Sequence, residues 1–348
     1  NKTIRRTSIS KVWPKKLKGR LINSFLYCLW VQIKLIFKSS RHKLLIYTSE
    51  PPFLPYFAYL LSFFDKTPFI VIIYDVYPDL FVKLGFLSAN NIFYKLLDFL
   101  NRLYLNRANE IVVLSNPMAQ LIIKKYPFVE QKLNIISSWS NHEKIYPINK
   151  EKNWFLKENK LLNDFVILYS GNQGRCHDLK TIVETAYLLK NKKDIKFIFI
   201  GKGAQHEKIK NLTIKLSLHN ILFFEYQEFK DLPYTLNIAD IACVTLNESA
   251  ESIVAPSKLY GHLAASTPIA AITPKNSYIK EIIEKNNCGK WFENGDSLSF
   301  SNWIIEMKLS NEFRNLLGNN GRNFLIKEAS FEIVFKKYEK IIERYLIK

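Results

Sequence analysis

Residues 251–272 read ESIVAPSKLYGHLAASTPIAAI, and in them a charged loop, a short helix and a buried strand follow one another. Pro256 suits the first position of a helix because its missing N–H costs nothing there, and the Ser-Thr-Pro run ends that helix before the apolar strand 269–272. The helix is predicted to be about two turns long, and Leu259 and Leu263 face the core because they lie four positions apart.

Lys258 stands in the first turn of this predicted helix and shares a face with His262. The unpaired N–H groups at a helix start carry positive partial charge, so a lysine there is unfavourable unless an anion neutralises both. Phosphate is the obvious anion. A lysine that points into water is the alternative on this stretch alone.

The composition indicates ordinary hydrophobic cores in a reducing compartment. The 348 residues suffice for two domains, and 48% of them are apolar. The four cysteines are scattered along the chain without a CxxC pair. They suggest neither a disulfide framework nor a structural zinc site, and we expect the cytosol.

The net charge of +19 is concentrated near the start of the chain, where twelve lysines and arginines precede the first acid, Glu50. Residues 21–37 are mostly apolar with one charge, Lys34, and are marginal in length for a transmembrane helix. An amphipathic helix resting on an anionic membrane face fits better, and a core helix with a basic rim is a compatible alternative. The flanking basic residues are Lys15, Lys16, Lys18, Arg20, Lys38, Arg41 and Lys43. Nucleic acid is not expected, because the aromatic residues here lie within apolar sequence.

The chain opens at Asn1 on polar, basic sequence rather than on an apolar strand. We therefore expect the beginning of the first domain to be absent from this chain. No signal peptide is visible, because the apolar stretch lies too far in and lacks a small-residue cleavage site.

Strands and helices alternate throughout. In the first half, strands are predicted at 44–47, 69–74, 110–114 and 132–136, and in the second half at 166–170, 197–200, 221–224, 241–245 and 269–272. This pattern predicts an α/β fold with parallel sheets covered by helices, divided near residue 145. Asp75 and Asp79 follow a strand, where ligands of such sheets bind, although helix capping explains them equally well.

Two glycine loops follow strands of the second half. Residues 171–178 (GNQGRCHD) combine glycines, Arg175 and a helix start, which together suit a phosphate, although a tight turn needs glycine anyway. His177 is expected to orient or pack rather than to catalyse. Residues 201–203 (GKG) are compatible with close approach of a sugar or base, and a dinucleotide fingerprint is absent.

In a parallel sheet the loops at 171–178, 201–203, 226–228 and 247–258 emerge from one edge. That edge would hold Arg175, Lys258 and one carboxylate, Glu251. The combination suits a nucleotide diphosphate that carries a polyhydroxyl group: the two cations would neutralise the departing diphosphate, and Glu251 would accept hydrogen bonds from sugar hydroxyls.

Six stretches carry a resemblance to a known family: TSEPPFLP (48–55), YDVYPDL (74–80), EIVVLS (110–115), YSGNQGRCHDLKTI (169–182), FIGKGA (199–204) and AESIVAPSKLYGHLAASTPIA (250–270). With them the chain resembles the retaining glycosyltransferases of family 4, in particular the branch for bacterial polysaccharide and O-antigen assembly. The resemblance implies a GT-B fold of two facing Rossmann-like domains. These would be an acceptor-side domain at 1–145, a nucleotide-sugar-binding domain at 146–328, and a terminal helix at 329–348 that packs back on the first domain.

The resemblance also implies site residues. It assigns catalytic roles to Asp75, Arg175, Glu251 and Lys258, and donor binding to Gly171, Asn172, Gly174, Arg175, Gly201, Gly203, Ser257, Lys258 and Leu259. Glu251 matches the first glutamate of the family's E-x7-E motif, and Gly261 stands where the second, which binds the ribose, is expected; His262 is a possible substitute. Many relatives have histidine where Tyr74 stands, so no histidine role is transferred there.

The implied reaction transfers a sugar with retention from a nucleotide-diphosphate sugar, most often a UDP-sugar, without an obligatory metal. The expected partners are a lipid-linked or glycan acceptor and an anionic membrane surface, and the expected place is the cytoplasmic face of the membrane. A nucleotide-sugar 2-epimerase with the same fold and a non-catalytic fragment or partner subunit are the alternatives.

Overall fold

The computed structural model describes residues 17–36, 43–64, 66–248 and 250–346. These residues group into two compact units, each described by itself below. Unit 1 comprises the described residues up to Ile136 and those from Lys337 onward, and unit 2 comprises those from Ser137 to Lys336. The sequence prediction had put this boundary near residue 145.

Unit 1 is built on a parallel sheet in the order β1-β2-β3-β4. Its elements are α1 (Leu17–Ile36), β1 (Leu45–Thr48), α2 (Leu54–Leu61), β2 (Phe69–Ile73), α3 (Asp79–Lys83), α4 (Ile92–Arg107), β3 (Glu110–Val113), α5 (Asn116–Lys125), a 3₁₀ helix (Pro127–Lys132) and β4 (Leu133–Ile135). All residues of β2 and β3 are buried, as expected of strands that are covered on both faces.

Unit 2 is built on a longer parallel sheet in the order β10-β9-β8-β5-β6-β7. Its elements are a 3₁₀ helix (Lys150–Lys152), α6 (Trp154–Glu158), β5 (Phe165–Ser170), α7 (Lys180–Leu188), β6 (Ile195–Ile200), α8 (His206–Lys215), β7 (Ile221–Phe224), a 3₁₀ helix (Phe229–Asp231), α9 (Leu232–Leu236), β8 (Ile241–Thr245), α10 (Lys258–Ala264), β9 (Ile269–Ile272), α11 (Tyr278–Lys285), β10 (Gly289–Phe292), α12 (Ser297–Leu309), α13 (Asn311–Phe324), a π-helix (Leu325–Ala329) and α14 (Phe331–Leu346).

Helices cover both faces of the unit 2 sheet. Alternate residues of β5 point to opposite sides: Ile167 and Tyr169 pack in one core with α7 and α12, whereas Val166 and Leu168 pack in another with α6. The strand order reverses between β5 and β8, which places a crevice beyond the carboxyl ends of these strands. The α/β architecture of two Rossmann-like domains with parallel sheets is thus confirmed.

Several local predictions were wrong. Pro256 is not the first helical residue, because α10 begins two positions later, at Lys258. The sequence interpretation missed β10, since its Gly-Lys-Trp-Phe sequence lacks the continuous apolar character of the other strands, and it missed the short helix α3.

The first described helix, α1, matches the predicted amphipathic helix in position. It presents an apolar stripe to solvent that consists of Ile22, Phe25, Leu29, Ile33 and Ile36, while Cys28 and Gln32 are buried. No helix in the described ranges is long and apolar enough to cross a bilayer. Of the flanking basic residues, Lys15, Lys16, Lys38 and Arg41 lie outside the described residues, as do the side chains of Lys18 and Arg20.

The last helix, α14, begins in unit 2, and its residues from Lys337 onward belong to unit 1. Within unit 1, the end of α14 is held by Glu110, a nearly buried carboxylate at the start of β3. Glu110 Oε1 accepts hydrogen bonds from Arg344 Nη1 at 2.9 Å and from Tyr345 OH at 3.1 Å, and Asn134 Nδ2 donates to Oε2 at 2.8 Å. The charge of this buried carboxylate is therefore compensated by the terminal helix.

Candidate functional site

The two glycine loops of unit 2 are packed against each other. Gln173 is fully buried between them, and its Nε2 donates to Gly201 O at 2.7 Å. Gln205, in the second loop, bonds back to the first loop: its Nε2 donates to Gly174 O at 2.6 Å and to His177 O at 2.8 Å. The loops at 171–178 and 201–205 therefore form one rigid wall at the carboxyl edge of the sheet.

Glycine is required in this wall for two different reasons. Gly171 and Gly201 have φ angles of 123° and 111°, a backbone region that other residues rarely adopt. A Cβ at Gly203 would lie 2.5 Å from Gln173 C and from Asn172 Oδ1, so Gly203 is needed for contact between the loops. At Gly203 the close approach is between the two loops, and the approach of a sugar or base to residues 201–203 stays a prediction.

Lys258 reaches this wall from the first position of α10. Its Nζ donates to Tyr169 OH at 2.5 Å and lies 3.5 Å from His177 Nε2, above the Tyr169 ring at 4.0 Å from its centroid. A Cβ placed at Gly171 would meet Lys258 Cε at 3.6 Å, so the lysine stem runs directly along the glycine loop. None of the ion pairs among the described residues includes Lys258. The predicted alternative, a lysine pointing into water, is wrong.

We call Tyr169, Gly171, His177 and Lys258 the lysine cluster. Burial changes the pKa values of its titratable side chains. Desolvation lowers the pKa of Lys258 to about 7. Desolvation, followed by the nearby Lys258 charge, lowers the pKa of His177 to about 3, so this imidazole is neutral. The cluster thus holds a desolvated lysine amine among neutral groups.

Two predicted site residues of α10, His262 and Leu259, have fully buried side chains. His262 is fully buried, its ring nitrogens have no hydrogen-bond partner among the described residues, and burial lowers its pKa to about 3. It is therefore unavailable as a substitute for the ribose-binding glutamate. The Leu259 side chain is also fully buried in the core, which leaves only its backbone to contact a ligand.

The other predicted donor residues line the same edge. Arg175 is exposed in the 171–178 loop, and its carbonyl oxygen accepts a hydrogen bond from Asn247 Nδ2 at 2.6 Å. Ser257 is exposed beside Lys258, and Asn172 is exposed next to Gly171. These contacts place the loop after β8 beside the glycine loop, as predicted from the parallel sheet.

Glu251 lies in the loop before α10, half-buried, and burial raises the pKa of its carboxyl group. Nine residues separate Glu251 from Gly261, whereas seven separate the two glutamates of the E-x7-E motif. The pair therefore matches the motif only if two residues are inserted into the motif. At Gly261 a Cβ would already meet Leu236 Cδ1 at 3.2 Å. Because glycine has no side chain, Gly261 does not supply the ribose contact expected of the motif's second glutamate.

Asp75 lies in unit 1, directly after β2. Its backbone N–H and that of Tyr74 donate to Ser49 Oγ, at 3.2 and 2.9 Å. Burial, followed by a hydrogen bond to the Glu50 carboxyl group, raises the pKa of Asp75 to about 8. Burial and the neighbouring Glu50 thus favour the protonated form of Asp75, and Glu50 is a neighbour that the sequence interpretation missed.

Asp79, by contrast, has a structural role. Its Oδ2 lies 2.7 Å from Lys125 Nζ, which also lies 2.7 Å from Asp98 Oδ1, and Tyr126 OH donates to the same Asp98 oxygen at 2.6 Å. This network fixes the loop that carries Asp75. In the described part of the chain, no group of three or more His, Cys, Asp or Glu residues has the arrangement of a metal site.

Comparison with known proteins identifies the fold and its chemistry. Residues 150–324, half of the chain and most of unit 2, match the family described as Glycosyl transferases group 1. The chain belongs to this family. It is therefore a glycosyltransferase, and the family match favours transfer over the epimerase alternative.

Named relatives agree with this assignment. The glycosyltransferase is 26% identical over 345 residues to the probable glycosyltransferase WbjE of Pseudomonas aeruginosa, covering 96% of this chain and 84% of that protein. It is 33% identical over 102 residues to the putative colanic acid biosynthesis glycosyl transferase WcaI of Escherichia coli K12, covering 29% of this chain and 25% of that protein. Anabaena Alr3699/HepE, solved in complex with UDP and glucose, shares the fold with a TM-score of 0.71 at 13% identity, over 90% of this chain and 80% of that one.

Proposed function

We propose that this glycosyltransferase is a retaining enzyme of family 4 that transfers a sugar from a UDP-sugar to a membrane-held glycan precursor in bacterial cell-surface polysaccharide synthesis. The name of WcaI supports the pathway class, and the UDP in HepE supports the nucleotide. In this proposal unit 2 binds the donor, unit 1 binds the acceptor, and no metal is required.

The observation that carries the proposal is the half-buried, desolvated amine of Lys258 beside the Gly171 loop. It has only neutral acceptors, and the residues that the structure describes offer it no carboxylate. A cation desolvated in this way is unfavourable until an anion reaches it. A diphosphate lying along the Gly171 loop would supply that charge, with Arg175 binding its outer oxygens.

The charge then acts in the reaction. As the bond from the sugar C1 to the phosphate oxygen breaks, negative charge grows on the leaving diphosphate, and Lys258 and Arg175 stabilise it. The acceptor hydroxyl forms the new bond to C1 on the same face, and its proton passes to the leaving phosphate. Glu251 would accept hydrogen bonds from donor-sugar hydroxyls, and the carboxyl group of Asp75, which shares its proton with Glu50, would accept one from the acceptor hydroxyl.

The acceptor side of the proposal rests on exposed apolar helix faces in unit 1. Besides the stripe of α1, helix α4 exposes Ile92, Phe93, Leu96 and Phe99 beside the exposed cations Lys95 and Arg102. Apolar side chains with basic neighbours suit insertion into the headgroup region of an anionic membrane. We place the enzyme at the inner face of the cytoplasmic membrane.

The donor assignment is tested by Lys258→Met. We expect UDP affinity in titration calorimetry to fall at least ~10-fold, because a hydrogen bond to a charged group is lost. Lys202→Met is the matched control, since Lys202 lies in the adjacent loop, is exposed and pairs with Glu225 at 2.6 Å. Unchanged UDP affinity in Lys258→Met would contradict the donor site. The anomeric configuration of the product, read by NMR, tests retention.

A further inference from the structure

The lysine cluster contains a feature that goes beyond charge, namely the direction in which its hydrogen bonds run. Tyr169 OH accepts from Lys258 Nζ and donates its own proton to the carbonyl oxygen of Asn172 at 2.8 Å. A phenol has a single proton, so this proton is committed to the backbone. Tyr169 therefore faces the lysine only as an acceptor.

His177 is arranged in the same way on the other side. Its Nδ1 lies 2.7 Å from Thr245 O, and because a carbonyl oxygen only accepts, Nδ1 carries the proton. The ring is neutral, so Nε2 presents a lone pair, and this atom lies 3.5 Å from Lys258 Nζ. His177 is thus also an acceptor fixed by the backbone, through a longer contact than that of Tyr169.

An ammonium group has three N–H donors. Tyr169 and His177, which we call the acceptor pair, take two of them, and the residues that the structure describes provide no acceptor for the third. The third is left for a ligand beside the Gly171 loop.

We propose that Tyr169 and His177 are positioning residues, whose backbone-fixed lone pairs aim the third N–H of Lys258 at a phosphate oxygen of the donor. This inference rests on the proposed donor site. It adds that Lys258 is aimed by two specific side chains, and that the Asn172 carbonyl couples this aim to the conformation of the glycine loop. Tyr169 and Lys258 are 89 positions apart in the sequence, and the hydroxyl of Tyr169, together with the imidazole of His177, links the loop to α10.

The titratable groups that face Lys258 are Tyr169 on β5, His177 in the glycine loop and His262 one turn along α10. None of them bears a negative charge at neutral pH, because burial raises the pKa of Tyr169 and lowers that of both histidines. Hydrogen bonds to the charged form favour it, so the acceptor pair keeps the ammonium protonated to higher pH than burial alone would allow.

The test measures UDP affinity against pH in Tyr169→Phe, His177→Leu and His177→Gln. We expect Tyr169→Phe to weaken UDP binding about 10-fold at pH 7 and His177→Leu to weaken it less, in the order of their distances to Nζ. In both, the pH at which UDP affinity declines moves down, since the ammonium loses its proton more readily. His177→Gln restores an acceptor and is expected to move that pH back towards the value of the unmodified protein.

Tyr278→Phe is the matched control, because Tyr278 is also a buried tyrosine of unit 2 and its hydroxyl has no partner among the described residues. Its UDP affinity and pH profile are expected to stay unchanged, and thermal melts verify folding of every variant. If Lys258→Met loses UDP binding while Tyr169→Phe and His177→Leu keep the affinity and pH profile of the unmodified protein, the positioning role is wrong and the donor site stands. If Lys258→Met itself binds UDP normally, the donor site fails, and the positioning role fails with it.

Discussion

At the scale of single residues, the cost of burying Lys258 is the feature that connects stability to function. The pKa of about 7 means that the empty site holds the amine only partly protonated at neutral pH. A bound diphosphate favours the ammonium form and raises this pKa. Ligand binding and proton binding are therefore coupled at one side chain.

This coupling predicts that UDP binding takes up a proton. The pKa of Lys258 in the empty site lies below its ordinary value, so uptake is small well below pH 7, rises above pH 7 and vanishes where the bound complex also loses its proton. Titration calorimetry in two buffers of different ionisation enthalpy at pH 8 measures it. In Lys258→Arg the uptake is expected to disappear, because a guanidinium stays protonated. Persisting uptake in that variant would assign the proton to another group.

The sequence could indicate which residues belong to the candidate site, but not which side chains they would contact. Lys258, Arg175 and the glycines could be proposed from the sequence because each residue type has a local chemical reason to stand next to a strand end. The acceptor pair was not predicted, because its hydrogen bonds join residues 81 and 89 positions apart, and a local pattern does not record such contacts. Glu50 next to Asp75 escaped prediction for the same reason, since it depends on the pairing of β1 with β2.

At the scale of elements, the glycine loops act as a pair. Gly203→Ala is expected to separate them, because the new Cβ would lie 2.5 Å from the backbone carbon of Gln173, which cannot yield without moving the loop. Overpacking of this kind costs about 1–3 kcal/mol, so we expect a lower melting temperature together with weaker UDP binding.

Gly174→Ala in the same wall serves as the comparison for this variant. There a Cβ would meet only the Asn172 side chain, at 3.2 Å, and the backbone conformation needs no positive φ. We expect a melting temperature close to that of the unmodified protein. Equal destabilisation by the two alanines would refute the account of loop-to-loop packing.

The strands were predictable where their sequences were continuously apolar. The strands at 221–224, 241–245 and 269–272 were located to the residue, because apolar runs bounded by polar turns are characteristic of buried parallel strands. The pattern failed at β10, whose first two residues are Gly289 and Lys290. It also could not show that α4 exposes an apolar face, because helical periodicity does not reveal which face meets the sheet.

At the scale of the whole molecule, the exposed apolar and basic side chains of α4 in unit 1 allow the proposed membrane association to be tested. We predict that the protein co-floats with vesicles of phosphatidylcholine that contain phosphatidylglycerol, and less with phosphatidylcholine alone. Replacing Leu96 and Phe99 together by serine is expected to reduce vesicle binding at least ~10-fold, through loss of apolar burial.

The control for this variant replaces Ile214 and Leu309 by serine, two apolar residues of unit 2 that are 66% and 84% exposed. These substitutions are expected to leave vesicle binding unchanged. If both double variants lose binding equally, the attraction is a general property of the apolar surface rather than of α4. Absence of co-flotation in the unmodified protein would remove the membrane from the proposed function.

The contacts of Glu110 determine how unit 1 can be produced separately from unit 2. Unit 1 is discontinuous in sequence, because it needs the chain before Ile136 and also the end of α14. A fragment that stops before α14 would keep the strand bearing Glu110 but lose Arg344 and Tyr345, which would leave a nearly buried carboxylate without its cation. Unit 1 is therefore best produced in isolation by joining the segment that ends at Ile136 to the one that begins at Lys337 through a flexible linker.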